Sequence, residues 1–127
     1  MDNEKEKMKK SRLFLSIVLL GLTANVWAGK SDQAIITEAT KNKTTVAEAI
    51  KAADATAVNV TGTIVRHVKD DHFELKDHTG SIQVEIDHDL ATVAQLKSGT
   101  EVKIYGEVDT HRIKPTDIEV VKIEILK

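Results

Sequence analysis

Phe73-Glu74-Leu75-Lys76-Asp77-His78-Thr79-Gly80-Ser81-Ile82-Gln83-Val84-Glu85-Ile86 is the stretch that decides the fold. Phe73 and Leu75 alternate with Glu74 and Lys76, and Ile82, Val84 and Ile86 alternate with Gln83 and Glu85. A period of two marks strands with one buried and one solvated face. Asp77-His78-Thr79-Gly80 between them has turn chemistry, so the two runs form a hairpin. The same period extends in both directions. Upstream, Val58, Val60 and Ile64 share one face, and Lys69-Asp70-Asp71 turns into the hairpin. Downstream, Val102, Ile104, Gly106 and Val108 make a fourth strand. Ile118, Val120, Ile123 and Ile125 make a fifth, whose alternation slips at Val120-Val121 as at a bulge.

Gly62 and Gly106 interrupt the apolar rows of the first and fourth strands. A small five-strand core needs sharp bends that side chains would obstruct, and glycine relieves them. The expected class is therefore all-β, a small five-stranded OB-type barrel with an N-terminal helix. Thr45-Val46-Ala47-Glu48 is a capping box that starts this helix over residues 45–56. A second, short helix fits between strands three and four, where Asp89 could cap it and Val93 and Leu96 could seal the barrel. An open five-strand sheet with one helix is the alternative architecture.

The N-terminus carries an address. Lys5, Lys7, Lys9, Lys10 and Arg12 precede the apolar run Leu13 to Leu22, and Val26-Trp27-Ala28 ends it with a cleavage pattern. This reads as a secretory signal peptide over residues 1–28. Leu13 to Ala28 is too short for a spanning helix, which needs about 20 apolar residues, so no stable membrane insertion is expected after cleavage. Residues 29–44 read as a loose polar leader, with room for one short docking turn at its only large apolar residues, Ile35 and Ile36, and residues 45–127 as the OB-type domain. Residues 29–127 hold 13 basic and 17 acidic residues, a net charge of −4 with histidines neutral. Phe73 and Tyr105 are their only aromatics. An acidic surface without stacking rings argues against nucleic acid as partner.

Catalytic chemistry is sparse. The chain has no cysteine, no GxSxG elbow, no HExxH and no glycine-rich phosphate loop. We expect no enzyme and no cofactor. The histidines are His67, His72, His78, His88 and His111, most of them near turns rich in aspartate. Asp87-His88-Asp89 places three metal-ligating residues within one bend and is the candidate metal site. The polar loops Lys69–Asp71, Asp87–Asp89 and Asp109–Lys114 can supply hydrogen bonds, and with an outward Tyr105 they suggest a ligand surface of Lys69, Asp71, Tyr105, Asp109, His111 and Arg112.

Val60-x-Gly62-x-Ile64, the hairpin through Ile86-Asp87, Tyr105-Gly106-Glu107-Val108-Asp109 and Ile118-Glu119-Val120 resemble the bacterial periplasmic OB-fold (BOF) family, often named for stress tolerance. The resemblance runs from about Thr44 to Lys127. It implies a small secreted barrel with a helix before the first strand, a role in tolerance to oxidative, acid or cationic-peptide stress, and in some members a link to the cell wall. Members often carry an aromatic residue after Ile86-Asp87-His88 and after Val108-Asp109. This chain has Asp89-Leu90 and Thr110-His111 there. The family supplies no catalytic residues to map.

The reading that follows is a monomeric, noncatalytic periplasmic binding protein supporting envelope stress tolerance. Its partner is expected to be a peptidoglycan fragment or an envelope protein. The alternative is an extracytoplasmic binder of divalent metal or cationic peptide, and a single-stranded nucleic-acid module is a more distant third. N-terminal sequencing of the protein from a periplasmic fraction should start at Gly29. A chain retaining Met1 in the membrane fraction would reject the signal peptide.

Overall fold

The computed structural model describes residues 30–127, so the expected signal peptide lies outside the described residues. Two helices come first, α1 (Asp32–Thr40) and α2 (Val46–Lys51). Five strands follow: β1 (Ala57–Lys69), β2 (His72–Asp77), β3 (Gly80–Glu85), β4 (Glu101–Asp109) and β5 (Asp117–Ile125). They close into a barrel in the order β1-β2-β3-β5-β4. The β3–β5 pair is parallel and the others are antiparallel. This is the five-stranded OB-type barrel that the alternation implied.

The apolar rows point inward. Val58, Val60, Ile64, Phe73, Leu75, Val84, Ile86, Val102, Ile104, Val108 and Ile118 are all buried in one core. Only the end of β5 departs from the expected row: Ile123 is half-buried and Ile125 is exposed. The β4–β5 register shifts between Tyr105 and Gly106, where Lys122 pairs with Tyr105 and Val120 with Gly106. Val121 is the extra residue, at the slip expected from Val120-Val121. Gly106 is required there, because a Cβ would lie 2.9 Å from the Glu119 carbonyl carbon and the Val120 Cα. Both are backbone atoms and cannot swing aside.

α2 begins with the predicted capping box. Thr45 Oγ1 accepts the Glu48 N–H (3.2 Å) and Glu48 Oε1 accepts the Thr45 N–H (2.9 Å). The helix stops at Lys51, short of the expected residue 56. Tertiary bonds account for the difference. The Ala55 N–H donates to the Val108 carbonyl (2.7 Å), and the Val108 N–H donates to the Thr56 carbonyl (2.9 Å). Residues 55–56 thus extend the β1–β4 ladder rather than the helix.

Two further expectations are corrected. Residues 32–40, assigned to a loose polar leader, form α1 and pack on the outside of the barrel. Ile35 and Ala39 lie one helical turn apart and bury themselves with Ala57 and Tyr105, with Val121 packed alongside. The buried Asn59 holds the end of this helix: its Nδ2 donates to the Ala39 carbonyl (2.6 Å). Between β3 and β4 there is no helix. The segment is a series of turns, with bonds such as Leu96 N–H to the Thr92 carbonyl (3.1 Å). Leu96 and Ala91 enter the core, whereas Val93 is 51% exposed. Val46 and Ala49 of α2 join the same core.

The β2–β3 turn anchors α2. Asp77 Oδ1 accepts the Thr79 N–H (2.7 Å), the Thr79 hydroxyl (2.6 Å) and the Gly80 N–H (3.2 Å). Asp77 Oδ2 accepts the Val46 N–H (2.9 Å), and Thr79 Oγ1 accepts the Ala47 N–H (2.9 Å). Two residues thus close the hairpin and satisfy amides of the helix's first turn. Desolvation pushes the Asp77 carboxyl up, but the bonds from Thr79, Val46 and Gly80 outweigh it and hold the group below its usual 3.8.

Two predictions follow from this packing. Gly106→Val overpacks the β4–β5 bulge, which typically costs about 1–3 kcal/mol. The thermal midpoint should fall by about 5 °C or more, and an unchanged midpoint would refute the close-approach role. Asp77 has a depressed folded-state pKa, so its contribution is present above the unfolded value and lost as pH falls through the lower, folded one. Asp77→Asn should therefore lower the midpoint at pH 7 and leave a shallower decline than wild type below about pH 4. Parallel pH-dependent melts check both parts.

Candidate functional site

With the barrel interior filled by side chains, the described grooves lie on its outer surface. One groove of about 320 Å3 is lined by Arg66 of β1, Glu74 of β2, Ser81, Ile82 and Gln83 of β3, Ile50 of α2, and Pro115 and Thr116 before β5. A second, of about 230 Å3, is lined by Val68, Lys69, His72, Gln83 and Lys114. Both have Gln83 in their walls, so they adjoin across β2 and β3 between the β1–β2 turn and the β4–β5 loop. This is the face on which OB barrels bind oligonucleotides and oligosaccharides.

Strand geometry sets the polar character of this face. Glu74 and Gln83 alternate with core residues and pair across β2 and β3. Arg66 lies opposite Glu74 at the register shift of β1, and its Nε donates to Glu74 Oε1 at 2.9 Å. An exposed pair of this kind adds little stability, and the bond uses one of the guanidinium's five donors. Lys69 and Lys114 add positive charge from the two loops. Asp54 ties down the second loop: its Oδ1 accepts the Thr110 N–H (2.9 Å) and hydroxyl (3.2 Å). The Thr110 N–H, then its hydroxyl, hold the Asp54 carboxyl below its usual value. Ile113 stands 95% exposed in that loop.

The residues chosen from sequence are distributed unevenly. Lys69 is in the second groove. Asp71 keeps the turn, its carbonyl accepting the Ile86 N–H at 2.8 Å. Arg112 is exposed on the β4–β5 loop. Tyr105 is not surface: it is 5% exposed beneath α1, with the ammonium groups of Lys103 and Lys122 lying 5.4 and 4.9 Å from its ring centroid. The outward alternation was correct, but a helix covers the ring. Asp109 and His111 belong to a different cluster. His111 Nε2 is 3.3 Å from Asp117 Oδ1 and 3.7 Å from Asp109 Oδ2, while His72 Nε2 is 3.8 Å from Asp117 Oδ2.

Asp87-His88-Asp89 forms a second group with metal-ligand atoms close together. There His88 faces Asp87 through Nδ1 (3.5 Å) and Asp89 through Nε2 (3.4 Å). The two ring nitrogens point in different directions, so the imidazole sits between the carboxylates. All three side chains are exposed to water.

Sequence reasoning missed Arg66, Glu74, Ser81, Gln83 and Asp117, while it placed Lys114 in a ligand loop and left His72 among the general histidines. The usable signal was position: each is an outward strand residue or a neighbour of the two loops at one end of β2 and β3. The outer face is also acidic. Glu85 pairs with Glu119, and Glu107 pairs with Glu119 from the other side. Burial, followed by Glu85, Asp109, Glu107 and Asp117, pushes the Glu119 carboxyl above its usual value.

The model of the bacterial OB fold (BOF) protein family matches residues 25–125. The chain is 42% identical over 89 residues to the calcium-regulated OB-fold protein CarO of Pseudomonas aeruginosa, covering 70% of this chain and 76% of CarO. It is 39% identical over 66 residues to protein YgiW of Escherichia coli, covering 52% and 51% of the two chains. The solved structure of YgiW aligns with a TM-score of 0.61 at 34% identity, over 67% of this chain and 90% of that one. The telomere capping protein Ten1 of Saccharomyces pombe aligns with a TM-score of 0.53 at 14% identity, over 66% of this chain and 79% of that one, a likeness of fold alone. The chain belongs to the bacterial OB-fold (BOF) family.

Proposed function

We propose that this protein is a noncatalytic binding protein, exported to the periplasm, which supports envelope stress tolerance by holding a cell-wall fragment. The observation that carries the reading is the pair of adjoining grooves across β2 and β3. Their walls combine Arg66, Lys69 and Lys114 with the neutral hydrogen-bonding groups of Ser81, Gln83 and Thr116. A muropeptide offers carboxylates to the cations and sugar hydroxyls and amides to the neutral groups. Neither groove is lined by a phenylalanine, tyrosine or tryptophan, so neither offers the stacking platform of a single-strand binder. Ile113 supplies an apolar contact from the loop beside the groove.

The signal-like N-terminus supports the periplasmic location, and the family resemblance supports the stress role. Regulation of CarO by calcium suits a relative that works where ionic conditions vary.

Titration of purified muropeptides into the 15N-labelled protein should move the amide signals of Ser81, Gln83 and Thr116. The double substitution Arg66→Ala with Gln83→Ala removes a charge and an amide from an exposed surface. It should weaken binding by about tenfold or more, the value of one charge-assisted hydrogen bond. A deletion strain should become sensitive to acid or cationic peptide and be rescued by the wild type but not by the double variant. Binding that is absent, or unchanged by the double substitution, would refute this reading.

A further inference from the structure

Asp109, His111 and Asp117 are separated by few residues in sequence but come from three places in the fold: the end of β4, the following loop and the start of β5. The β4–β5 ladder pairs Asp109 directly with Asp117. Like charges opposite each other on adjacent strands are destabilising. Here one of them, Asp117, is also only 7% exposed. A buried carboxylate normally has a strong cationic or hydrogen-bonding partner. Among the described residues, the ring nitrogens of two imidazoles face the Asp117 carboxylate, one on each oxygen, and no lysine or arginine ion pair reaches it.

The spacing is informative. Charge-assisted N–H···O bonds usually close to about 2.7–2.9 Å. The three contacts of this cluster are 3.3, 3.7 and 3.8 Å. Four ligand atoms around a tetrahedral zinc ion, with bonds of about 2.0–2.1 Å, lie roughly 3.3 Å from one another. The ligand atoms of Asp109, His111 and Asp117 all fall within 4.8 Å of one another. The His111 ring nitrogen thus stands 3.7 and 3.3 Å from one carboxylate oxygen each of Asp109 and Asp117, within ion-pair range and close to the edges of a coordination tetrahedron.

We propose that Asp109, His111 and Asp117 form a binding site for a divalent transition metal of the zinc class. Imidazole with carboxylate suits zinc, copper or nickel better than calcium, which prefers six to eight oxygen ligands. A cation here would offset the apposition of Asp109 and Asp117 across the ladder. Three protein ligands leave a tetrahedral position for water or a donor from outside. His72 offers another imidazole beside the second oxygen of Asp117, and it also lines the groove with Lys69, Gln83 and Lys114. The metal site therefore adjoins the proposed ligand face, although its own evidence is independent of what that face binds.

The test uses untagged protein, stripped with a chelator and titrated calorimetrically with ZnCl2 and, separately, with CaCl2. Zinc should bind one to one with micromolar affinity or better and raise the thermal midpoint. His111→Gln and Asp109→Asn should each weaken zinc at least tenfold while leaving the metal-free melt cooperative. His88→Gln should leave zinc binding unchanged. Cobalt(II) loaded into the same site should give the visible absorption of a mixed nitrogen–oxygen tetrahedron, which separates ligation from a purely structural effect of the variants. Four results would each overturn the proposal: zinc binding weaker than millimolar, binding unchanged by His111→Gln, binding lost with His88→Gln, or calcium held more tightly than zinc. Muropeptide binding by the metal-free protein is measured separately, so failure of either reading leaves the other standing.

Discussion

One strand serving two partners is the constraint on which this barrel depends. β1 pairs with β4 from Ala57 to Thr63 and with β2 from Thr63 to Lys69. Thr63 belongs to both ladders, opposite Glu101 and Lys76. A strand that changes neighbours within one residue must coil strongly. Gly62 lies at that point, where a Cβ would meet the Lys76 carbonyl oxygen at 2.5 Å. The glycine lets β2 approach β1 closely where the β4 ladder ends, and the closed order leaves no open sheet edge. The parallel β3–β5 pairing completes the closure on the opposite side.

Closure leaves a small interior, and the helices complete it in different ways. α2 sends Val46 and Ala49 into the barrel core and takes its first-turn acceptors from Asp77 and Thr79. It is bound to the hairpin by hydrogen bonds as well as by packing. α1 stays outside and covers Tyr105, an aromatic that β4 turns away from the core. Its Ile35 and Ala39 make a narrow apolar face, adequate because Ala57, Tyr105 and Val121 form a matching patch. The bulge contributes here too, by placing Val121 beside that patch.

With the interior filled by side chains, the described grooves lie on the outer face and its loops. There the β4–β5 connection has two roles. Pro115 and Thr116 border the larger groove, while Asp109, His111 and Asp117 gather where the strands enter and leave the loop. Strand pairing forces carboxylates together on this side: Asp109 against Asp117, and Glu119 between Glu85 and Glu107. A domain selected only for stability would avoid such rows. They lie beside two histidines and a polar groove, which concentrates ionisable groups in one region of an otherwise mixed-charge surface.

Local pattern within the sequence determined the strands, their inward faces, the capping box at Thr45 and the bulge at Val120-Val121. Each rests on period, propensity or a short-range hydrogen bond, and all were legible before the fold was known. Tertiary structure decided the rest. The leader became α1 because its two-residue apolar face matches a patch assembled from β1, β4 and β5, three strands distant in sequence. Residues 55–56 left the helix because β4 offered backbone partners. The segment between β3 and β4 stayed in turns, with α2 already contributing to the core. The site divided along the same line. Asp87-His88-Asp89 was conspicuous because its residues are consecutive, yet its ring nitrogens diverge. His72 and Asp117, separated by 44 intervening residues, meet only because β3 lies between β2 and β5 in the closed sheet. Sequence records which residues are near neighbours along the chain; a binding site needs atoms that converge in space, and barrel closure brings them together.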